Sequence, residues 1–342
     1  MVVLLPLPLV ILANFAVGRR WAHIAIGILC GLTAGITFLF GALDLASSGP
    51  TAAGAVGHNP LPVDVGIMVT AAVAVVLAAK PVRERVARIL PIDPDNPVHA
   101  FALVLTVLLL GTQVTSIAFT NLSATPQTPL TVADLVTQET PFLILAAFGV
   151  GIFIRRSVAQ TVNRLGLVAP AWWHVVLALA AAGLFFAFGQ AMDALSHVWT
   201  PDVARQVDTT TQHLFGGLGG PLGIAAIALL PGICEEVLFR GALQPRIGLI
   251  LTALLFASIH TQYGLSLDAL SVFVIALGLG LIRKFTNTTT SSICHITYNL
   301  IVGIGVAGSA IGPVVLIEAV LIGLTAYAIW SNRRRRALAA NP

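Results

Sequence analysis

Residues 222–244 read LGIAAIALLPGICEEVLFRGALQ. A run this apolar is long enough to cross a ~30 Å hydrocarbon core, which takes about 20 residues. Yet it carries Glu235, Glu236 and Arg240. An ionisable side chain at membrane depth costs roughly 2.5–3.5 kcal/mol on insertion scales, so each of the three needs a role. The same apolar character extends outward in both directions. Hydrophobic residues make up 57% of the 342 positions and charged residues 9%, against about 25% charged in an ordinary soluble domain. The chain belongs to the membrane class, and a globular water-soluble enzyme is excluded.

Eleven apolar runs follow one another, at about 2–17, 21–46, 65–79, 99–121, 140–154, 170–190, 222–244, 247–261, 266–282, 287–308 and 311–330. The expected fold is therefore all-α, a polytopic transmembrane helical bundle of about eleven spans. Placing Arg19 and Arg20 inside puts seventeen of the eighteen basic residues on that side, all but Arg205. The positive-inside rule requires such a bias, so the N-terminus is expected outside and the C-terminus in the cytoplasm. Trp21, Trp172, Trp173, Trp199 and Trp330 all stand at run ends, where an interfacial aromatic belt forms. Residues 80–90, with Arg83, Arg85 and Arg88, are expected to touch anionic headgroups.

The net charge of +4 lies in short clusters between apolar runs rather than along one soluble face, which argues against nucleic acid. Cys30, Cys234 and Cys294 sit inside apolar runs at spacings that fit neither a zinc site nor a disulfide framework. The basic residues Arg19 and Arg20 follow the first apolar run instead of preceding it, so no cleavable signal peptide is expected.

The polar residues inside the spans are concentrated. Glu236 and Arg240 stand four apart and share a helix face, where they can pair; Glu235 points about 100° away. Phe256 and His260 are four apart in the next span, and His295 and Asn299 are four apart in the tenth. At 1.5 Å per residue, Glu235, His260 and His295 lie about 14, 20 and 15 Å from Gln244, Ile247 and Phe285 at their helix ends. Three helices thus deliver a carboxylate and two imidazoles to a similar level. Such a set suits general-base activation of water with His and Asn donors for an oxyanion. It is equally suited to a divalent metal such as zinc, held by Glu235, His260 and His295. Neither an H-E-x-x-H nor a G-x-S-x-G signature is present. Taken singly each residue has a plainer explanation: Phe256 as core, Glu236–Arg240 as a structural pair, either histidine as a packing residue. Together they favour a site.

The motifs EExxxR (Glu235, Glu236, Arg240), FxxxH (Phe256, His260) and HxxxN (His295, Asn299) resemble those of the CAAX-protease and bacteriocin-processing family, which includes the type II CAAX prenyl endopeptidases. The segment 164–170, RLGLVAP, is similar to a lead-in to that family's core. The resemblance covers about residues 164–308. It implies an intramembrane endopeptidase acting on a membrane protein or peptide. In it Glu235 activates water with His260, and His295 and Asn299 bind the oxyanion. Glu236, Arg240 and Phe256 support the site. Residues 1–163 are then N-terminal membrane helices without an assigned role, 164–308 a protease core, and 309–342 a last membrane helix with a basic cytoplasmic tail. A bacterial-type plasma membrane is the expected location. The rival readings are a proton-coupled transporter, for which Glu318 in the last span is the best candidate residue, and a non-catalytic scaffold or immunity protein.

Overall fold

A computed structural model describes residues 4–52, 59–119 and 128–340. Among these the regular structure is helical, apart from a single bridge between Ile152 and Arg156. The first five helices are α1 (Leu7–Ala16), α2 (Ala22–Ala52), α3 (Leu61–Leu77), α4 (Lys80–Val86) and α5 (Pro97–Phe119). Next come α6 (Val132–Gly149), α7 (Val158–Arg164), α8 (Trp172–Trp199), α9 (Pro201–Phe215) and α10 (Pro221–Glu236). A π-helical segment, Val237–Leu243, runs from α10 into α11 (Gln244–Ile247). The chain finishes with α12 (Leu249–Ser258), α13 (Leu267–Phe285), α14 (Thr288–Ile304) and α15 (Ile311–Ala340).

Each of the eleven apolar runs carries a helix. Among the described residues, five helical stretches are long and apolar enough to cross a membrane: Ala22–Ser47, Pro97–Phe119, Trp172–Trp199, Pro221–Ile247 and Gly308–Arg334. The α3–α4 pair, bent by 91°, makes a sixth if counted as one span. The run read at 140–154 begins earlier, at Val132, because Thr131 and Asp134 form a reciprocal capping box.

One expectation is corrected. Arg83 does not face headgroups: it is 4% exposed and donates to the carbonyls of Pro94 and Ala78. These are backbone acceptors around the bend after α3, and an arginine fork satisfies them where solvent cannot. The stretch after Trp199, between two of the apolar runs, contains α9, which buries Ala204 and Val207.

Between lipid-facing helices the water-driven hydrophobic force is absent, so close van der Waals packing holds them together. Ile26, Cys30 and Ala34 of α2, Ala71 and Ala74 of α3, and Ala100, Val104 and Leu108 of α5 form one such core. There the α3 glycine Gly66 faces Thr115, and the α5 glycine Gly111 faces Thr70; a Cβ at either glycine would overlap the threonine. The second half is organised around α10 and α14, with α8 and α13 behind α14, α6 beside α10, and α15 on α8. Gly248, at φ 80°, turns the chain between α11 and α12 in a left-handed conformation that a side chain would strain.

Candidate active site

Pro231 stands inside α10. It has no N–H, so the carbonyl of Ile227, four residues earlier, loses its helical donor. Asn299 of α14 supplies one: its Nδ2 donates to Ile227 O at 3.2 Å. The proline thus creates the acceptor that holds the α14 amide. Six residues later the helix widens into the π segment at Val237. Such insertions occur frequently at functional sites, and this one lies between Glu236 and the end of the span.

Glu236 is fully buried and multiply bonded. Its Oε1 lies 3.1 Å from Arg240 Nη1 and 3.0 Å from His295 Nδ1. Its Oε2 accepts from Ser291 Oγ at 2.5 Å. Arg240, 1% exposed, lies with its guanidinium carbon 4.2 Å from the Phe256 ring centre, a cation–π contact. Phe256 also packs on His260, with centroids 4.8 Å apart, and on His295, at 6.0 Å. One phenyl ring therefore joins the three motifs. Glu235, 5% exposed, has a buried Oε2 without a hydrogen-bond partner. Of the two adjacent acids, one is consumed by architecture and the other is left available.

His260 lies just beyond α12, whose last helical residue is Ser258. Its Nδ1 is 2.9 Å from Phe256 O. A carbonyl only accepts, so Nδ1 carries the hydrogen and Nε2 keeps its lone pair in the neutral ring. His295 is oriented in the same way by the Glu236 carboxylate. The Tyr263 ring is stacked on His260 at 6.4 Å and 12°, and Tyr263 lines an open cleft of about 1270 Å³. Tyr298, Asp193, Asp208 and Asp268 also line it.

The expected zinc ligands do not meet as a metal cluster. Among the described residues, the only group of three or more His, Cys, Asp or Glu whose ligand atoms all lie within 4.8 Å of one another is Asp193, His197 and Asp208. That group is formed by a half-buried aspartate with two exposed residues at the cleft. His260 and His295 both pack on Phe256, and Glu235, His260 and His295 are not in that group.

All seven motif residues fall within one matched segment. Residues 218–301 match the family model of type II CAAX prenyl endopeptidase Rce1-like proteins. This is the family of proteases that the three motifs resemble, and the match ends just past Asn299. Together with the five apolar spans, the Rce1-like match makes the chain an integral membrane protein. No curated protein and no solved structure gives a significant match.

Within the Rce1-like segment, sequence reasoning missed Ser291. The signal was present, since Ser291, His295 and Asn299 form one i, i+4, i+8 stripe on α14. It also missed Glu139, outside the segment on α6. Glu139 is 8% exposed, its Oε2 has no hydrogen-bond partner, and its carboxyl is within electrostatic reach of Glu235. Packing explains the meeting. Leu135 clusters with Ala226 and Leu230, and Ala146 with Val237 and Ala242. The two helices therefore run parallel, and Glu139 falls at the level of Glu235. Glu318 is set against Gly183 of α8, away from these motifs.

Proposed function

We propose that this protein is an intramembrane endopeptidase that hydrolyses a peptide bond of a membrane-associated protein or peptide. The observation that carries this reading is the asymmetry of the two acids. Glu236 is held by Arg240, His295 and Ser291, while buried Glu235 keeps an oxygen without a partner. An unpartnered buried carboxylate is costly unless something else binds there, and water awaiting activation fits that need.

In the proposed reaction Glu235 takes a proton from water, whose oxygen adds to the scissile carbonyl carbon. The Nε2 lone pair of His260 orients that water. The developing oxyanion is met by Asn299, whose amide has a second N–H beyond the one given to Ile227, and by His295. The Glu236 carboxylate at Nδ1 fixes the His295 ring, whose Nε2 is a donor to the oxyanion when both ring nitrogens carry hydrogen. The C–N bond then breaks, and the proton held on Glu235 passes to the departing amine. The cleft at Tyr263 and Tyr298 is the proposed substrate approach.

We further propose the full topology of about eleven spans, N-terminus outside and C-terminus cytoplasmic, in a bacterial-type plasma membrane. It is supported by the helix in every apolar run and by the one-sided basic residues.

The test is substrate trapping. Peptides retained by the Glu235→Gln protein from solubilised membranes are identified by mass spectrometry and offered to wild type, Glu235→Gln and His260→Ala. Cleavage by wild type alone is the expected result. Cleavage by both variants at the wild-type rate overturns the mechanism.

A further inference from the structure

One end of the bundle gathers five arginines. Arg155 and Arg156 lie in the loop after α6, Arg164 ends α7, Arg246 lies in α11 and Arg283 in the last turn of α13. Two of them are anchored on consecutive carbonyls of the π segment. Arg283 Nε donates to Arg240 O at 3.0 Å, and Arg164 Nη1 donates to Gly241 O at 3.1 Å. Adjacent acceptors on one backbone hold the two guanidinium groups side by side. Arg155 Nε donates to Asn14 Oδ1 at 3.0 Å, and Arg156 Nη1 to Val150 O. Arg164 feels the charges of all four others.

Among the described residues none of the five is ion-paired with a carboxylate. Asp93, the nearby acid, acts on His99, whose Nδ1 accepts from the Asp93 N–H. Burial first, and the neighbouring arginines second, hold Arg164 down to about 10. Loop bases that merely set topology need only be present; they need not converge and be partly buried, because partly buried charges are ordinarily paired. Each guanidinium has five N–H donors in a fork that matches phosphate oxygens. The contacts above use one donor each on Arg155, Arg156, Arg164 and Arg283, leaving most of their donors for a ligand. Around the cluster, Phe153, Phe285 and Trp172 are 75%, 73% and 62% exposed. Apolar and aromatic side chains beside cations are the composition of a membrane interface.

We propose that Arg155, Arg156, Arg164, Arg246 and Arg283 form a binding site for a phosphate-bearing anion, supplied by an anionic phospholipid headgroup. A phosphate bridging Arg164 and Arg283 clamps α7 and α13 onto the two carbonyls that follow the buried Arg240–Glu236 pair. The site is thus placed to stiffen the π segment. It stands whether or not the protein cleaves peptides.

The test uses the full chain in a neutral detergent, with thermal unfolding and native mass spectrometry as readouts. Phosphatidylglycerol, phosphatidylcholine and inorganic phosphate are added separately. Phosphatidylglycerol is expected to bind and raise the melting temperature, and phosphatidylcholine to do neither. Inorganic phosphate acting alone, without phosphatidylglycerol, overturns the lipid source and leaves a soluble-anion site. Arg246→Gln and Arg155→Gln are expected to weaken phosphatidylglycerol binding about tenfold each, as loss of a charge-assisted hydrogen bond does. Arg333→Gln is expected to leave it unchanged. Equal effects of the two lipids, or unchanged binding in both cluster variants, overturns the site. Arg164→Gln adds a third variant, and the other two keep the test decisive if it does not fold.

Discussion

Replacing Glu236 by Gln changes a charge and almost no volume, so the substitution isolates the ion pair from any cavity. In the folded protein Arg240 and Glu236 are 1% and 0% exposed, with Nη1 and Oε1 3.1 Å apart. Removing one partner of a buried pair costs about 3–5 kcal/mol, because the remaining charge is left uncompensated. Two features pull the value toward the low end. The Phe256 ring faces Arg240, and Ala276 O lies 3.4 Å from its Nη2. The glutamine also keeps an acceptor for Ser291. The expected loss is therefore about 3 kcal/mol. Arg240→Met should cost a comparable amount, since it strands the Glu236 carboxylate. The double variant Glu236→Gln/Arg240→Met has no buried charge there and should recover much of either loss. The assay is equilibrium unfolding in mixed micelles for all four proteins. A loss under about 1 kcal/mol for Glu236→Gln, or strict additivity in the double variant, would refute the reasoning.

Two further outcomes follow from the same geometry. Glu139→Gln is expected to keep cleavage near the wild-type rate, since the uncharged amide keeps the size and polarity of the side chain facing Glu235. Glu139→Leu is expected to lower kcat about ten- to a hundredfold with little change in KM; an unchanged kcat removes Glu139 from the site. Asn299→Ala strands the Ile227 carbonyl and should cost about 1–3 kcal/mol of stability. In a Pro231→Ala background the restored backbone N–H serves Ile227, so the same substitution should cost less. Equal costs in both backgrounds show that the proline does not create the acceptor.

The fold class and the seven motif residues were legible because lipid removes ambiguity. With no water to receive a charge or a free carbonyl, every long apolar run must be helical, and every ionisable residue inside one must have a use. Spacing alone placed Glu236 with Arg240 and His295 with Asn299, since i, i+4 pairs share a helix face in any helix. Even the separate standing of Glu235 and Glu236 follows from the 100° between neighbours.

What lies between helices was not legible. Glu139 comes within reach of Glu235 because α6 and α10 pack in parallel, a register set by the fit of Leu135 and Ala146 into facing residues. The five arginines are scattered over residues 155–283 and meet only where α6, α7, α11 and α13 end together. His260 left its helix, and Arg83 turned inward, to satisfy backbone atoms that exist only at chain breaks. The sequence by itself determined that this chain is a bundle of membrane helices carrying an acid, two histidines and an amide. Only the tertiary structure decided that His295 and Ser291 bind Glu236 while Glu235 keeps an oxygen without a partner. That choice depends on side chains from α14 reaching Glu236, and distances across helices are not encoded by spacing along one of them.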